Sequence, residues 1–428
     1  MAATAAAATS AVRGPVVWIR YGLIALVALM PFHAFGSVWL GSLFGHQAAW
    51  QSWKELLIVV MAVAAAVIVW REPARRQRLH NHLVYLAGGF TLVSLIVTAI
   101  NQPHFTPALY GLKTDVEFLV VFVLALLVAD RRLVARLWQV AIATTGAVIG
   151  FGLLQIYLLP KDWLAHFGYG AATIQPYFMV DPAIQSVRIL STLGGPNQLG
   201  SFLILPLCLV TWQLLHRPRW WQGLYLAAGL IVEWHTYSRS ALIGLAVAFL
   251  ILGLLRTTRR WRLPVLLGAT ILAAIAINLI TTDAGSQQNL QYYLFHETTH
   301  STGIQASTDQ HAAAYQQGMQ IAGSHLLGTG LGTAGPASFH STHPFIPEDY
   351  YLQLAIETGV LGLAIFGVLE VLLGLELWRH GATTPGAAAA VAALVGVSVV
   401  NLVLHGWADS STALVFWSFA GAVIGATA

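Results

Sequence analysis

The chain has 428 residues, 57% of them hydrophobic and only 9% charged, with a mean hydropathy of +0.70. Soluble domains carry roughly 25% charged residues, so this composition excludes a soluble enzyme, a disordered chain and, despite the basic pI, a nucleic-acid binder. What remains is an all-α, polytopic membrane protein; a single cysteine, Cys208, also excludes disulfide frameworks and cysteine-based metal centres.

Residues Met1 to Ser10 are rich in Ala and Thr and lack the charged start and cleavage pattern of a secretory signal. They are expected to form a short tail ahead of a retained first span. Apolar runs of about 17–25 residues suit the hydrocarbon thickness. Twelve are predicted, over 16–36, 54–71, 83–101, 116–130, 136–160, 197–216, 220–236, 240–256, 263–281, 350–378, 385–404 and 409–427.

The basic residues sort between these runs. Arg13 and Arg20, Arg71 to Arg78, Arg131 to Arg136, Arg217 and Arg219, Arg256 to Arg262, and Arg379 all fall on one side, sixteen of the 21. Cytoplasmic loops carry the excess of Lys and Arg, so that side, with both termini, is expected in the cytoplasm. Lys54, Lys113, Lys161, Arg188 and Arg239 are left on the extracytoplasmic side.

Two loops on that side exceed ordinary connectors, residues 161–197 and 282–349. The longer one holds a periodic apolar stretch, Ala312 to Leu327, expected to be an amphipathic helix, then glycines at 328, 330, 332 and 335. The expected organisation is a single integral-membrane domain, 1–428, whose two long loops form the site.

Arg188 precedes the Gly194-Gly195-Pro196-Asn197 turn, and Arg239 sits in Ser238-Arg239-Ser240 between two apolar runs. A guanidinium near hydrocarbon needs a partner, and its fork matches phosphate oxygens. The readings are a pyrophosphate clamp, an ion pair with Glu233 or Asp409, or snorkelling to the interface. Lys113, near Asp115 and Glu117, and Lys54, beside Glu55, suit either a clamp or local ion pairs. Lys161, followed by Asp162, reads as surface.

His296-Glu297-Thr298-Thr299-His300 has the letters of a zinc-protease motif, but its polar loop context offers neither a rigid helix nor a third ligand. No metal is expected. Glu348 and Asp349 close the long loop directly before Tyr350 and Tyr351. They suit a helix cap or, alternatively, a general base for an acceptor hydroxyl.

In order, these motifs resemble the O-antigen ligase and polymerase superfamily. The resemblance rests on Arg188 with Gly194-Gly195-Pro196-Asn197, on Ser238-Arg239-Ser240, and on Gly328-Thr-Gly-Leu-Gly332 followed by Tyr351-Leu-Gln-Leu and Glu357-Thr-Gly359-Val-Leu-Gly362. It covers roughly residues 185–375. It implies metal-free, cofactor-free transfer of a glycan from an undecaprenyl-pyrophosphate carrier to a glycan, lipid or protein hydroxyl at the bacterial inner membrane. Family ligases carry His-Asn nine residues before a Gly-x-x-Gly. Counted back from Gly359, those positions are Glu348 and Asp349. The resemblance therefore implies Glu348 as base with Asp349 beside it, and His343 or His340 as an alternative imidazole. It further implies Arg188, Arg239 and Lys113 on pyrophosphate, and Asn197 and Tyr351 positioning the substrates. The carboxylates in place of His-Asn suit a polymerase-like or divergent member. A transporter is the reading from another class; transporters usually show two related halves, whereas this chain's long loop has no counterpart.

Overall fold

The structure is a computed structural model that describes residues 2–179, 187–256, 302–381, 384 and 386–427, with side chains described outside 2–13 and 302–312. It is built from helices: α1 (Ala2–Leu29), α2 (His33–Phe44), α3 (Trp53–Arg71), α4 (His82–Asn101), α5 (Phe105–Asp115), α6 (Glu117–Val128) and α7 (Arg131–Tyr157). A two-residue hairpin follows, β1 (Phe178–Met179) antiparallel to β2 (Val187–Arg188). Then come α8 (Pro196–His216), α9 (Trp220–His235), α10 (Arg239–Arg256), α11 (Thr302–Ser324), α12 (Tyr350–His380), α13 (Ala387–Asn401) and α14 (Ser410–Thr427).

Among the described residues, eight helical stretches are long and apolar enough to cross a membrane. They occupy the predicted first, second, third, fifth, sixth, eighth, tenth and twelfth spans. The fourth, seventh and eleventh are α6, α9 and α13, of 12, 16 and 15 residues. At about 1.5 Å per residue none of these three bridges about 30 Å of hydrocarbon alone. The ninth predicted span, and the His296 and His300 pair, lie outside the described residues. The expected amphipathic helix exists as α11, beginning earlier than Ala312 and ending at Ser324.

The short α6 shows how a buried helix satisfies its ends. It continues α5 across a break at Val116, and the two together run from 105 to 128. The last carbonyls of a helix have no intrahelical donor. Here Arg20 Nε donates to Val128 O at 2.9 Å, Arg75 Nη1 to Leu127 O at 3.1 Å, and Arg78 Nη1 to Ala129 O at 2.9 Å. Arg20 also pairs with Asp130 at 2.7 Å. α14 lies along α6 with Gly421 and Gly425 against its backbone, where an added Cβ would stand 2.3 Å from Phe122 O and from Leu126 O. Small residues four apart permit this approach in a membrane helix pair.

α12 is where the structure departs most from the predicted spans. The tenth span, expected as one run over 350–378, is a helical hairpin. Gly359 has φ 71° and ψ −177°, which breaks α12 into arms 350–358 and 360–380. The arms fold back on each other: Tyr351 Oη donates to Glu370 Oε2 at 2.9 Å, and the Tyr350 and Phe366 rings lie 5.8 Å apart. In a straight helix the nineteen residues between Tyr351 and Glu370 would span about 28 Å. Only the second arm has crossing length, so the span begins at 360. Tyr350 is carried about 13 Å back from the bend along the second arm.

The backbone groups freed at the bend are taken up by the end of the long loop. Val360 N donates to Leu326 O at 3.0 Å, while Thr329 N and Gly330 N donate to Ile356 O at 2.8 Å and Glu357 O at 2.9 Å. Broken backbone at membrane depth is tolerated only with such partners. The glycines of both motifs are therefore architectural. Gly328 would place a Cβ 2.6 Å from Glu357 O, and Gly332 has φ 77° against the backbone of Pro107 on α5.

Glu370 fastens the hairpin to α13 and the turn after it. Its Oε1 accepts from Trp407 Nε1 at 2.7 Å and Ser398 Oγ at 3.3 Å, and its Oε2 from Tyr351. Glu370→Leu would orphan these donors, each at about 1–3 kcal/mol. The melting temperature of the purified variant should drop well below wild type, with Glu370→Gln, which retains an acceptor, intermediate. Equal melting of Glu370→Leu and wild type would refute this role.

Candidate functional site

The hairpin strand β2 brings Arg188 to the junction of α8, α9 and α10. Arg188 Nε donates to Thr236 O at 2.9 Å, and its Nη2 donates to Asn197 Oδ1 at 2.7 Å. Ile189 N donates to His235 O at 3.1 Å, which ties the strand to the end of α9. The chain then dives inward: Leu190, Ser191 and Leu193 are buried. Ser191 is held by Gln155 Oε1 at its amide and by Val148 O at its hydroxyl. Gly195 and Pro196 open α8, where Pro lacks an N–H that the first turn would leave unpaired anyway.

Arg239 is the first residue of α10, and its side chain is exposed. Burial, reinforced by the neighbouring Arg239 charge, pushes the Arg188 guanidinium down to about 10. Arg188 therefore remains cationic at neutral pH. The first turns of α8 and α10 touch, since a Cβ on Gly200 would stand 2.6 Å from that of Ala241. Two guanidiniums and two helix N-termini thus converge, and helix N-termini attract anions.

Neither carboxylate considered as a partner for Arg239 pairs with it. Asp409 caps α14, accepting from Thr412 N and Oγ1, each at 2.9 Å. Glu233 is fully buried beside Gly200, and neither of its oxygens has a hydrogen-bond partner. Among the described residues Arg188 and Arg239 form no ion pair with a carboxylate.

The lysines take the local ion pairs. Lys113 Nζ lies 2.6 Å from Glu55, and Lys54 Nζ lies 2.7 Å from Glu55 and 3.0 Å from Glu117. Lys113 also sits over the Tyr110 ring at 4.8 Å, and His340 stacks on the same ring with 3.6 Å between centroids. Burial and Lys113 together lower the His340 imidazole from its ordinary value. His343 is exposed.

Asp349 is the N-cap of α12, accepting from Leu352 N at 2.8 Å, and burial raises its carboxyl above the usual range. Glu348, half-buried, has φ 57°. A non-glycine residue in the left-handed region stores strain, which recurs at functional sites. Tyr351 spends its hydroxyl on Glu370, and Asn197 holds Arg188.

Sequence reasoning missed a second polar layer. Asp115, at the break between α5 and α6, accepts from Gln353 Nε2 at 3.1 Å and 3.3 Å. Glu357 Oε1 accepts from Gly332 N at 2.9 Å and Ala334 N at 3.0 Å. Asn401, His405 and Trp407 crowd the turn between α13 and α14. Ionisable residues inside apolar runs, such as Glu357 and Glu370, were the available signal.

No curated protein matches the chain. Residues 223–367 match the family model described as O-antigen ligase. That stretch holds α9 to α11 and the α12 bend, with Arg239, Glu348, Asp349 and Gly359; Arg188 and Asn197 precede it. Motif order, membrane helices and this match agree: residues 223–367 are similar to the O-antigen ligase family, which supports membership of the chain in the O-antigen ligase and polymerase superfamily.

Proposed function

We propose that the protein transfers a glycan from an undecaprenyl-pyrophosphate carrier to a hydroxyl of a glycan or lipid acceptor, at the outer face of a bacterial inner membrane. The observation that carries this reading is the pair of guanidiniums at two touching helix N-termini, with no carboxylate paired to either among the described residues. Such a site fits a pyrophosphate and is costly without an anion. The sixteen basic residues that the sequence sorts to one side favour a cytoplasmic location for that side and for both termini.

The acceptor oxygen attacks the sugar carbon bonded to pyrophosphate from the opposite face, inverting it. The new C–O bond forms as the bond to the phosphate oxygen breaks. Arg188 and Arg239 stabilise the charge that grows on the leaving pyrophosphate, which therefore needs no proton. Glu348, held in a strained backbone at the foot of the long loop, takes the hydroxyl proton; Asp349 holds the first turn of α12 and so fixes Glu348. His343, exposed on the same loop, is the alternative acceptor of that proton. Asn197 fixes the Arg188 fork, and Tyr351 anchors the first arm of α12. Lys113 reaches a phosphate oxygen only by exchanging Glu55 for it. The bilayer holds the carrier tail, and no metal or cofactor has a step in this scheme.

Purified protein in lipid nanodiscs, given an undecaprenyl-pyrophosphate oligosaccharide and the envelope glycan fraction of the source bacterium, should release undecaprenyl pyrophosphate and lengthen the glycan. No gradient exists across a nanodisc. Absence of turnover there, with gradient-driven glycan flux in sealed vesicles, would establish a transporter instead.

A further inference from the structure

Tyr350, Gln353 and Glu357 stand three and four residues apart on the first arm of α12, which puts them on one face of that helix. The face is turned to Asp115 at the end of α5, and all four residues are fully buried. Gln353 Nε2 donates to both Asp115 oxygens, and the Tyr350 hydroxyl lies against the same carboxyl. Asp115 is also in hydrogen-bond contact with the Glu357 carboxyl. Glu357 Oε1 is filled by the Gly332 and Ala334 amides, whereas its Oε2 is buried and receives no donor.

The two carboxyls cannot separate without opening the fold. A Cβ on Gly111 of α5 would strike Gly332 N, and one on Gly328 would strike the backbone of Glu357, so α5, the 328–335 segment and the arm are in backbone contact. The charged groups nearby are spent elsewhere. On α5 and α6, Lys113 pairs with Glu55, Glu117 pairs with Lys54, and Tyr110 stacks on His340, while Thr114 hydrogen-bonds Asp115. The 328–335 segment contributes the Gly332 and Ala334 amides. On the second arm Glu370 serves Tyr351, Trp407 and Ser398. Among the described residues no lysine, arginine or histidine pairs with Asp115 or Glu357.

An ionised carboxylate only accepts hydrogen bonds, so two carboxyls in contact need a proton between them. Two negative charges in a buried contact without a cation repel too strongly for both to persist. Both residues lie outside the spanning runs, since Asp115 ends α5 and Glu357 precedes the bend. We propose that Asp115 and Glu357 share one proton, and that the bridged pair positions the first arm of α12, with Glu348 and Asp349 at its start, against α5. The proposal rests on the reading of Glu348 as the base. The pair acts through the arm and touches no substrate.

Free carboxyls are ionised at neutral pH, so the folded chain holds a proton that the unfolded chain releases. The stabilisation from the bridge is complete below the ordinary carboxyl range and is lost as pH rises through the titration of the pair. Past that point two like charges face each other and push the arm off α5. Glu348 then leaves its place, and transfer falls on the alkaline side.

Glu357→Gln and Asp115→Asn each replace the shared proton by an amide N–H that does not titrate. Glutamine keeps an oxygen for the Gly332 and Ala334 amides, and asparagine keeps one for Gln353. Melting temperatures of the purified proteins are compared from mildly acid to alkaline pH. Wild type should lose several degrees on the alkaline side, and both variants should lose much less. The infrared difference between wild type and either variant at neutral pH should contain the carbonyl band of a protonated carboxyl. In nanodiscs, the alkaline pH at which glycan transfer is half lost should move up by about one unit or more in both variants. Parallel alkaline declines in wild type and both variants, or absence of that band, would overturn the proton bridge. So would failure of both variants to fold, since each keeps the hydrogen bonds of the bridged pair. A shifted melting profile with an unshifted transfer profile would make the bridge purely structural and overturn its positioning role. Full transfer by Glu348→Gln would instead overturn the reading of the base, and it leaves the melting and infrared comparisons of the pair as they are.

Discussion

Arg239→Ala should reduce glycan transfer by about 10²- to 10³-fold, the usual effect of removing one preorganised group that stabilises transition-state charge. The protein should nevertheless accumulate and melt normally. The side chain is exposed at the first position of α10 and, among the described residues, makes no ion pair, so its removal costs the described part of the fold little. Arg239→Lys keeps the charge but loses the planar fork, and should recover only part of the rate. Arg188 makes a less clean probe because it also bonds Thr236 and Asn197, so its removal disturbs the junction of three helices. The measurement is undecaprenyl pyrophosphate release by detergent-purified variants, beside their melting curves. Full activity in Arg239→Ala would refute the clamp.

Gly359→Ala should prevent recovery of folded protein. At φ 71° and ψ −177° an alanine is strained by about 1–3 kcal/mol. Its Cβ would also stand 2.5 Å from Leu326 O and Leu327 C, backbone atoms that cannot rotate aside. Those atoms belong to the loop segment that satisfies the bend, so relieving the clash breaks the hydrogen bonds that make the bend tolerable. The control is Gly367→Ala on the second arm, where an added Cβ meets nothing within 4 Å. That variant should be neutral or more stable by up to about 1 kcal/mol, the helix propensity gain. Size-exclusion profiles and melting temperatures compare the two; similar behaviour would show that the bend is dispensable.

The same pair shows why the hairpin was hidden in the sequence. Residues 350–378 form one apolar run in which Gly359, Gly362, Gly367 and Gly374 look alike. Hydropathy measures transfer into lipid, not direction, so it could not tell which glycine reverses the chain. Where the pattern depends on solvent alone it was legible: the predicted spans over 54–71, 197–216 and 240–256 lie within two residues of α3, α8 and α10. Arg188 and Arg239 stood out because charge on the unfavoured side of a membrane is rare. Their proximity, set by the contact of Gly200 with Ala241, has no periodic signature. The predicted spans 385–404 and 409–427 leave only residues 405–408 between them. Their polar letters acquire meaning only once Trp407 is found on Glu370, 37 residues away.

The arginines on the end of α6 carry a consequence for assembly. Val128, Leu127 and Ala129 offer carbonyls that α6 cannot satisfy itself, and the donors are Arg20, Arg75 and Arg78. All three donors are synthesised before the helix they cap. When residues 117–128 leave the ribosome, Arg20 of α1 and Arg75 and Arg78 of the 73–79 connector after α3 have already been made. The late partner is α14, whose Gly421 and Gly425 close against α6 only after residues 410–427 are made. α6 is thus built as the keystone of a vectorial process, seated first by arginines made before it and sealed by α14.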